Sequence, residues 1–560
     1  MNVLAVEVHT APCYDMSKVL GKDGWRGWPW APIKLRHAQL TVSPAGAVAA
    51  NVTRPCGVRA WNVGVGDTVS AFDHGDPWET LQPIVIHAAR NGVFSGRLVV
   101  DSDQPIKGLK ATVTELAFVG PSLVEGRPPS SGGPMGAKIP ASAVRVRYAV
   151  TASPGKSWMS PHRFDGLLDA IPAEIPVVKD PPDRPSVYWM YWCNPITRSN
   201  LVAGAVAPLW FTVRVPKDAH PGVYEGRVTI SAEGLAPTDV PLRLSVSDWT
   251  VPEPKDFRMH NMAYHVDDAL ARHYNVPLWS DRHFELLGKS HALMAEVGSR
   301  QVFVNLTASS SPISPNMEVI RWVNQPGGGA KPDFTVFDKS LDMVATSVGT
   351  PLPLRLNVWG PVRNAGSRVS VPSVPLLDPA SNKIERLSQP AFGTEEAVAF
   401  WRPVFTEILK KIKARGWLDV AALGYVAAYD EPVEEVVDLA KQVWPEAVWA
   451  CVAHDMARNR RTKDPWLKIR YAYTCCYFGF PSVRGYRELL QPHAELLCNM
   501  YRANWNVNSL LSTYRRVGED IAMSGRGGVS DFGADLVPFR NPQGGYMTSP
   551  AYGMPSGPGA

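Results

Sequence analysis

Two rhythms of apolar and polar residues divide the chain near residue 255. Before it, short runs such as "QPIVIHAAR", "GRLVV", "ATVTELAFV" and "VRVRYAV" gather or alternate β-formers between Gly, Pro and Asp turn signals. The stretch from Leu209 to Trp249 holds three more such runs, with Asp218, Pro221, Gly222 and Gly234 at the turns. Strands this closely spaced, with no helix between them, predict an antiparallel β-sandwich. "TVPEP", Thr250 to Pro254, reads as the linker that closes it.

Beyond the linker, short apolar runs alternate with helical patterns. "FRMHNMAY", "QVFVNL", "LPLRLNVW", "ALGYVAAY", "AVWACV", "IRYAYTC" and "ELLCNM" read as strands. Helices are expected from Ser280 to Val297 with Gly298 as the stop, over "DKSLDMVATSV", from Thr394 to Gly416, over 432–443, and over "SLLSTYRRVGEDIAM". Apolar strands alternating with helices mean a parallel sheet covered on both faces. Seven or eight units in about 270 residues fit a (β/α)8 barrel, with a doubly wound open sheet as runner-up. The expected organisation is a β-rich extension over 1–75, a sandwich over 76–252, a barrel over 253–525, and a Gly/Pro-rich end over 526–560.

Composition narrows the partners. Hydrophobic residues are 45% and charged residues 19%, the balance of a globular protein. A formal net charge of +5 with no dense Lys/Arg block argues against nucleic acid. No apolar run approaches the roughly 18 residues of a membrane span. The seven cysteines include no CxxC pair, which argues against a zinc site or a disulfide framework. The start has no basic segment ahead of its short apolar run. If the frame is complete, the expected compartment is the cytoplasm; if it is truncated at the start, the protein is expected to be extracellular or periplasmic. The end, "GMPSGPGA", reads as a disordered tail or as a frame that continues.

The most informative chemistry is "GYVAAYDEP", where an apolar run stops at Asp430 and Glu431. One reading makes them the start of a helix, since acids and proline suit that position. The other makes them catalytic, because the C-terminal end of a barrel strand is where such enzymes carry their reacting groups. The two roles are compatible. Glycoside cleavage needs a carboxylic acid that stays protonated near neutral pH, and a neighbouring carboxylate favours that state. Around the pair, Tyr429, Asn305, Asn357, Trp359, Tyr473 and His260 are the hydrogen-bonding and aromatic side chains expected at strand ends to hold a sugar. No dinucleotide loop, P-loop, nucleophile elbow or HExxH motif competes with this reading.

Several stretches in order resemble glycoside hydrolase family 123 and its uncharacterised relatives: "IHAARNGVFSGRLVV" (86–100), "FDGLLDAIP" (164–172), "LWFTVRVPKDAHPGVYEGRVTI" (209–230), "YVAAYDEP", and "RYAYTCCYFGFP" (470–481). The resemblance covers most of the chain and implies a sandwich joined to a barrel. It also implies a retaining, substrate-assisted cleavage of β-linked N-acetylhexosamine, with N-acetylgalactosamine favoured. Glu431 would be the general acid/base and Asp430 would hold the substrate's acetamido group. No cofactor and no metal are implied, and the partner is a carbohydrate. The family pattern has a polar residue shortly before the pair, where this chain has Ala427 and Ala428. The alternatives are a non-catalytic carbohydrate-binding protein with a degenerate barrel, and a glycosidase with no acetamido requirement.

Overall fold

The computed structural model describes residues 54–474 outside the segments 121–135, 151–163, 179–202, 308–316, 360–372, 427–431 and 454–461 and the short breaks at 68, 165, 265–266, 382 and 465–466; it also describes 495–500, 518–519, 521, 527–533, 538–540 and 546–548. Besides a small antiparallel pair, Ile106–Lys107 with Glu174–Ile175, the first half forms two large sheets. One runs in the order Arg59–Asn62, Val93–Ser102, Ala205–Arg214, Val144–Val150, Gly166–Leu168, every neighbour antiparallel. It uses Arg59–Asn62, upstream of the expected start at residue 76. The other runs Ile84–Arg90, Leu235–Thr250, Gly222–Ala232, Leu116–Gly120, Lys138–Ile139.

The inward positions of the two sheets share one buried apolar cluster. Leu98, Val100, Leu209 and Phe211 come from the first sheet, and Ile84, Ile86, Val228, Leu242 and Leu244 from the second. Alternation along each strand produces this: Leu242 and Leu244 are buried while Arg243 between them is exposed. One expectation is corrected here. Ile84–Arg90 pairs parallel to Leu235–Thr250, so the sandwich is not wholly antiparallel. These strands are about 150 residues apart and share no hairpin, so no tight turn fixes their directions. A buried ion pair, Arg54 Nη1 to Asp101 Oδ1 at 2.8 Å, fastens the start of the described chain to the Val93–Ser102 strand.

The main sheet of the second half has eight strands, β1 (His260–Tyr264), β2 (Val302–Asn305), β3 (Leu354–Asn357), β4 (Ala421–Val426), β5 (Trp449–Ala453), β6 (Ile469–Thr474), β7 (Leu496–Met500) and β8 (Gly528–Gly533). All pair parallel, in the order β1-β8-β7-β6-β5-β4-β3-β2. The first of these strands therefore pairs with the eighth, which lies wholly beyond residue 525. The sheet is also curled. Phe303 on β2 and Tyr473 on β6 sit four strands apart in this order, about 19 Å if the sheet were flat. Their ring centroids are 6.3 Å apart.

Helices α1 (Asp267–His273) and α2 (Asp281–Glu296) join β1 to β2. Further along, α3 (Thr335–Ser347), α4 (Glu395–Ala414) and α5 (Glu434–Val443) each lie between the next pair of strands. Capping follows the sequence: Ser280 accepts from His283 N–H at 3.2 Å and Thr394 from Ala397 N–H at 3.2 Å. Gly298 and Gly416 leave α2 and α4 with φ of +80° and +70°. Among the described residues no helix of comparable length follows β5, and the helix expected over 509–523 falls almost wholly outside them.

Side chains of β3 divide cleanly between two environments. Leu354, Leu356 and Val358 pack outward with Phe337, Leu341, Trp401, Phe405 and Ile408 of the helices. Arg355 and Asn357, on the opposite face, point into the curl. A four-stranded sheet is inserted between β2 and β4, in the order Ala330–Asp333, Arg321–Asn324, Ser373–Asp378, Lys383–Ser388. Nothing in the sequence reading anticipated it. Trp322 from this sheet stacks on Phe400 of α4, with centroids 5.4 Å apart and an interplanar angle of 5°.

Candidate active site

The C-terminal ends of β2 and β3 lie side by side, with Asn305 in register with Asn357. Asn357 Nδ2 donates to Asn305 Oδ1 at 2.9 Å, and Asn357 is only 5% exposed. Below them Phe303 is in register with Arg355, whose guanidinium lies 4.7 Å from the Phe303 ring centroid. Arg355 is 1% exposed. On β4 the register partner of Arg355 is Ala422, and two residues on, Gly424 must lack a side chain: a Cβ there would overlap Asn357 Oδ1 and Arg355 Nε, and would lie 2.7 Å from Arg355 Cγ. Tyr473 on β6 is fully buried and closes the far wall with Ala422, Ala450, Val452 and Tyr471.

The inserted sheet docks at this same end. Val319 N–H donates to the Asn305 carbonyl and Ile320 N–H to that of Leu306, both at 2.9 Å. Just before them Glu318 is fully buried, with Oε1 held by Arg386 Nη2 at 2.7 Å. Two influences on Glu318 oppose each other. Burial disfavours the carboxylate, while the Arg386 charge favours it. Burial prevails because Arg386 is half exposed and shares its charge with solvent, so the Glu318 carboxyl titrates above the ordinary glutamate range.

Of the side chains expected at a sugar site, Asn305, Asn357 and Tyr473 line the curl on or near strand C-terminal ends. Tyr429, Asp430 and Glu431 lie outside the described residues. His260 is a correction: it opens β1 rather than ending it, so it belongs to the N-terminal edge of the sheet. Burial, and then the Arg300 charge, lower its pKa. Trp359 lies two residues past β3 and turns to the helices. It stacks on Phe405 of α4 (5.4 Å, 26°) and meets Trp401 and Phe392 edge-on.

The sequence reading missed Arg355 and Gly424. The signal for Arg355 was available, because in "LRLN" a charged and a polar residue two positions apart share one face of an otherwise apolar strand. A second correction concerns the acid pair as a helix cap. Helix α5 begins at Glu434 and its N-cap is Val433, whose side chain makes no capping hydrogen bond. The acids of its first turn are Glu434 and Glu435, which already suit the positive end of the helix.

Comparison with known proteins points the same way. Residues 265–467 match the family model described as glycoside hydrolase 123, catalytic domain. The chain is similar to a glycoside hydrolase 123 catalytic domain over this region. It is a glycosidase by this measure, and the matched region runs from the end of β1 to the approach of β6. A family 123 glycoside hydrolase from Clostridium perfringens, whose structural analysis addresses glycolipid glycan hydrolysis, aligns with a TM-score of 0.59 at 13% identity, covering 85% of this chain and 78% of its own. That likeness is one of fold. A putative glycoside hydrolase from Bacteroides vulgatus covers 61% of this chain and 55% of its own at 12% identity, with a TM-score of only 0.15. Among curated proteins, none matches the chain. Among the described residues no cluster of His, Cys, Asp and Glu could hold a metal ion, and no helix is long and apolar enough to cross a membrane.

Proposed function

We propose that this glycosidase cleaves a terminal β-linked N-acetylhexosamine, N-acetylgalactosamine by preference, with retention of configuration and with the substrate's own acetamido group as nucleophile. The glycolipid glycan named for the Clostridium perfringens relative is one natural setting for such a residue. In this reading the curled eight-stranded sheet is a (β/α)8 barrel, the sandwich and barrel domains meet near Thr250–Pro254, and the C-terminal strand ends form the mouth of the active site.

The observation that carries the reading is where β4 ends and the next helix begins, on either side of the acid pair in the sequence. Strand β4 runs in the middle of the parallel sheet to Val426, and the next helix starts at Glu434 with Val433 as its cap. In sequence Asp430 and Glu431 come between these two elements, which supports reading them as groups presented beyond a strand end rather than as caps. In the proposed cycle, Glu431 gives its proton to the glycosidic oxygen as the bond to C1 breaks. The acetamido carbonyl oxygen bonds to C1 from the other face, and Asp430 accepts the amide N–H hydrogen bond. Water then attacks C1 as Glu431 takes its proton, which restores the acid and the acetamido group. Asn305, Asn357 and Tyr473 supply hydrogen-bonding groups beside this centre.

Chromogenic β-N-acetylgalactosaminide and plain β-galactoside, assayed side by side, test the reading. Hydrolysis of the first alone supports it, whereas equal hydrolysis of both would remove the acetamido group from the mechanism.

A further inference from the structure

Arg355 is the one charged side chain among the described residues on the inner face of β3, and it is 1% exposed. Its Nε and Nη2 find no hydrogen-bond partner among the described residues. A buried cation in that condition carries a large desolvation penalty, and the Phe303 ring under the guanidinium offsets only part of it. The identity of the two donors is informative. Nε and Nη2 form one edge of the planar guanidinium, and their parallel N–H groups match the two oxygens of a carboxylate or sulfate. The surroundings are built to keep that side chain in place, since Gly424 leaves no Cβ to displace it and Asn357 borders the same space. Asn357 ends β3, so the fork lies one inward-facing position below the mouth.

We propose that Arg355 binds an oxyanion, a carboxylate or sulfate group that the substrate sugar carries into the barrel, and so sets a preference for acidic N-acetylhexosaminides. This rests on the proposed glycosidase reading for the sugar, but not for the anion. A lysine at this position would keep the charge and lose the paired donors, so the fork rather than the charge is what selects the ligand.

The test compares 4-nitrophenyl β-N-acetylgalactosaminide with its 4-O- and 6-O-sulfated forms, using the full chain and its Arg355→Met and Arg355→Lys variants. Inorganic sulfate is titrated separately by calorimetry and thermal shift. At least one sulfated substrate should be preferred by about tenfold or more in kcat/KM by the wild type. That ratio should fall to near one in both variants, together with the sulfate-induced shift in Tm. Arg355→Lys serves if Arg355→Met does not fold. Sulfate binding that depends on Arg355, without a preference for sulfated sugar, would identify a free anion as the source and support the site alone. An undiminished ratio and an undiminished sulfate shift in the variants would overturn the proposal. If no N-acetylhexosaminide is cleaved at all, the glycosidase reading fails, and the sulfate titration still decides whether Arg355 binds an oxyanion.

Discussion

Asn357 Nδ2 donates to Asn305 Oδ1 at 2.9 Å, tying together the C-terminal ends of two neighbouring parallel strands. The bond orients both amides at the rim of the curled sheet and satisfies part of a nearly buried side chain. Replacing Asn357 with Leu removes the donor and should cost about 1–3 kcal/mol of stability. It should also lower kcat/KM on N-acetylhexosaminides. Chemical denaturation and steady-state kinetics on the same preparation check both effects.

Gly424 tolerates no side chain. A Cβ there would overlap Asn357 Oδ1 and Arg355 Nε, both part of the buried inner face of β3. Gly424→Ala should therefore destabilise by about 1–3 kcal/mol, the usual cost of overpacking a full interior. Gly349→Ala makes a useful contrast. Its φ of +81° also strains an alanine, but nothing lies within 4 Å of the added methyl. Any loss of activity should accompany Gly424→Ala alone.

Glu318 gives the fold a pH dependence whose sign can be worked out. Its folded pKa is raised by burial, so the native state favours the protonated carboxyl. The stabilisation is complete below the ordinary glutamate value and is lost as pH rises through the raised one. Glu318→Gln holds a neutral group in the same place. Relative to this variant, the wild type should lose Tm as pH rises across that window, and thermal melts at a series of pH values measure the difference. A constant difference would mean that Glu318 does not titrate within it.

Much of the fold was legible because periodicity is a local property. The helix ends at Ser280, Gly298, Thr394 and Gly416 follow from caps and left-handed glycines that each act within one turn. The apolar run "ALGYVAAY" announced a strand for the same reason, and the described strand is Ala421–Val426. Other features depend on distant pairing, which no local pattern encodes. The parallel register of Ile84–Arg90 with Leu235–Thr250 is one, and the four-stranded insertion is another. Trp359 was misplaced because a tryptophan at a strand end suits a sugar as well as it suits Phe405, and only the path of α4 decides between them. His260 was misplaced by a strand boundary, since "FRMHNMAY" begins pairing only at its fourth residue. Arg355 was passed over because a lone arginine in a short strand ordinarily marks an exposed face.

Glu431→Gln tests the central claim most directly. It keeps the size of the side chain and removes its exchangeable acid. Initial rates on 4-nitrophenyl β-N-acetylgalactosaminide, with the circular dichroism spectrum unchanged, should fall by about 100-fold or more, within the range for loss of a general acid–base group. Full activity in a folded Glu431→Gln would contradict the account and move the chemistry away from the end of β4.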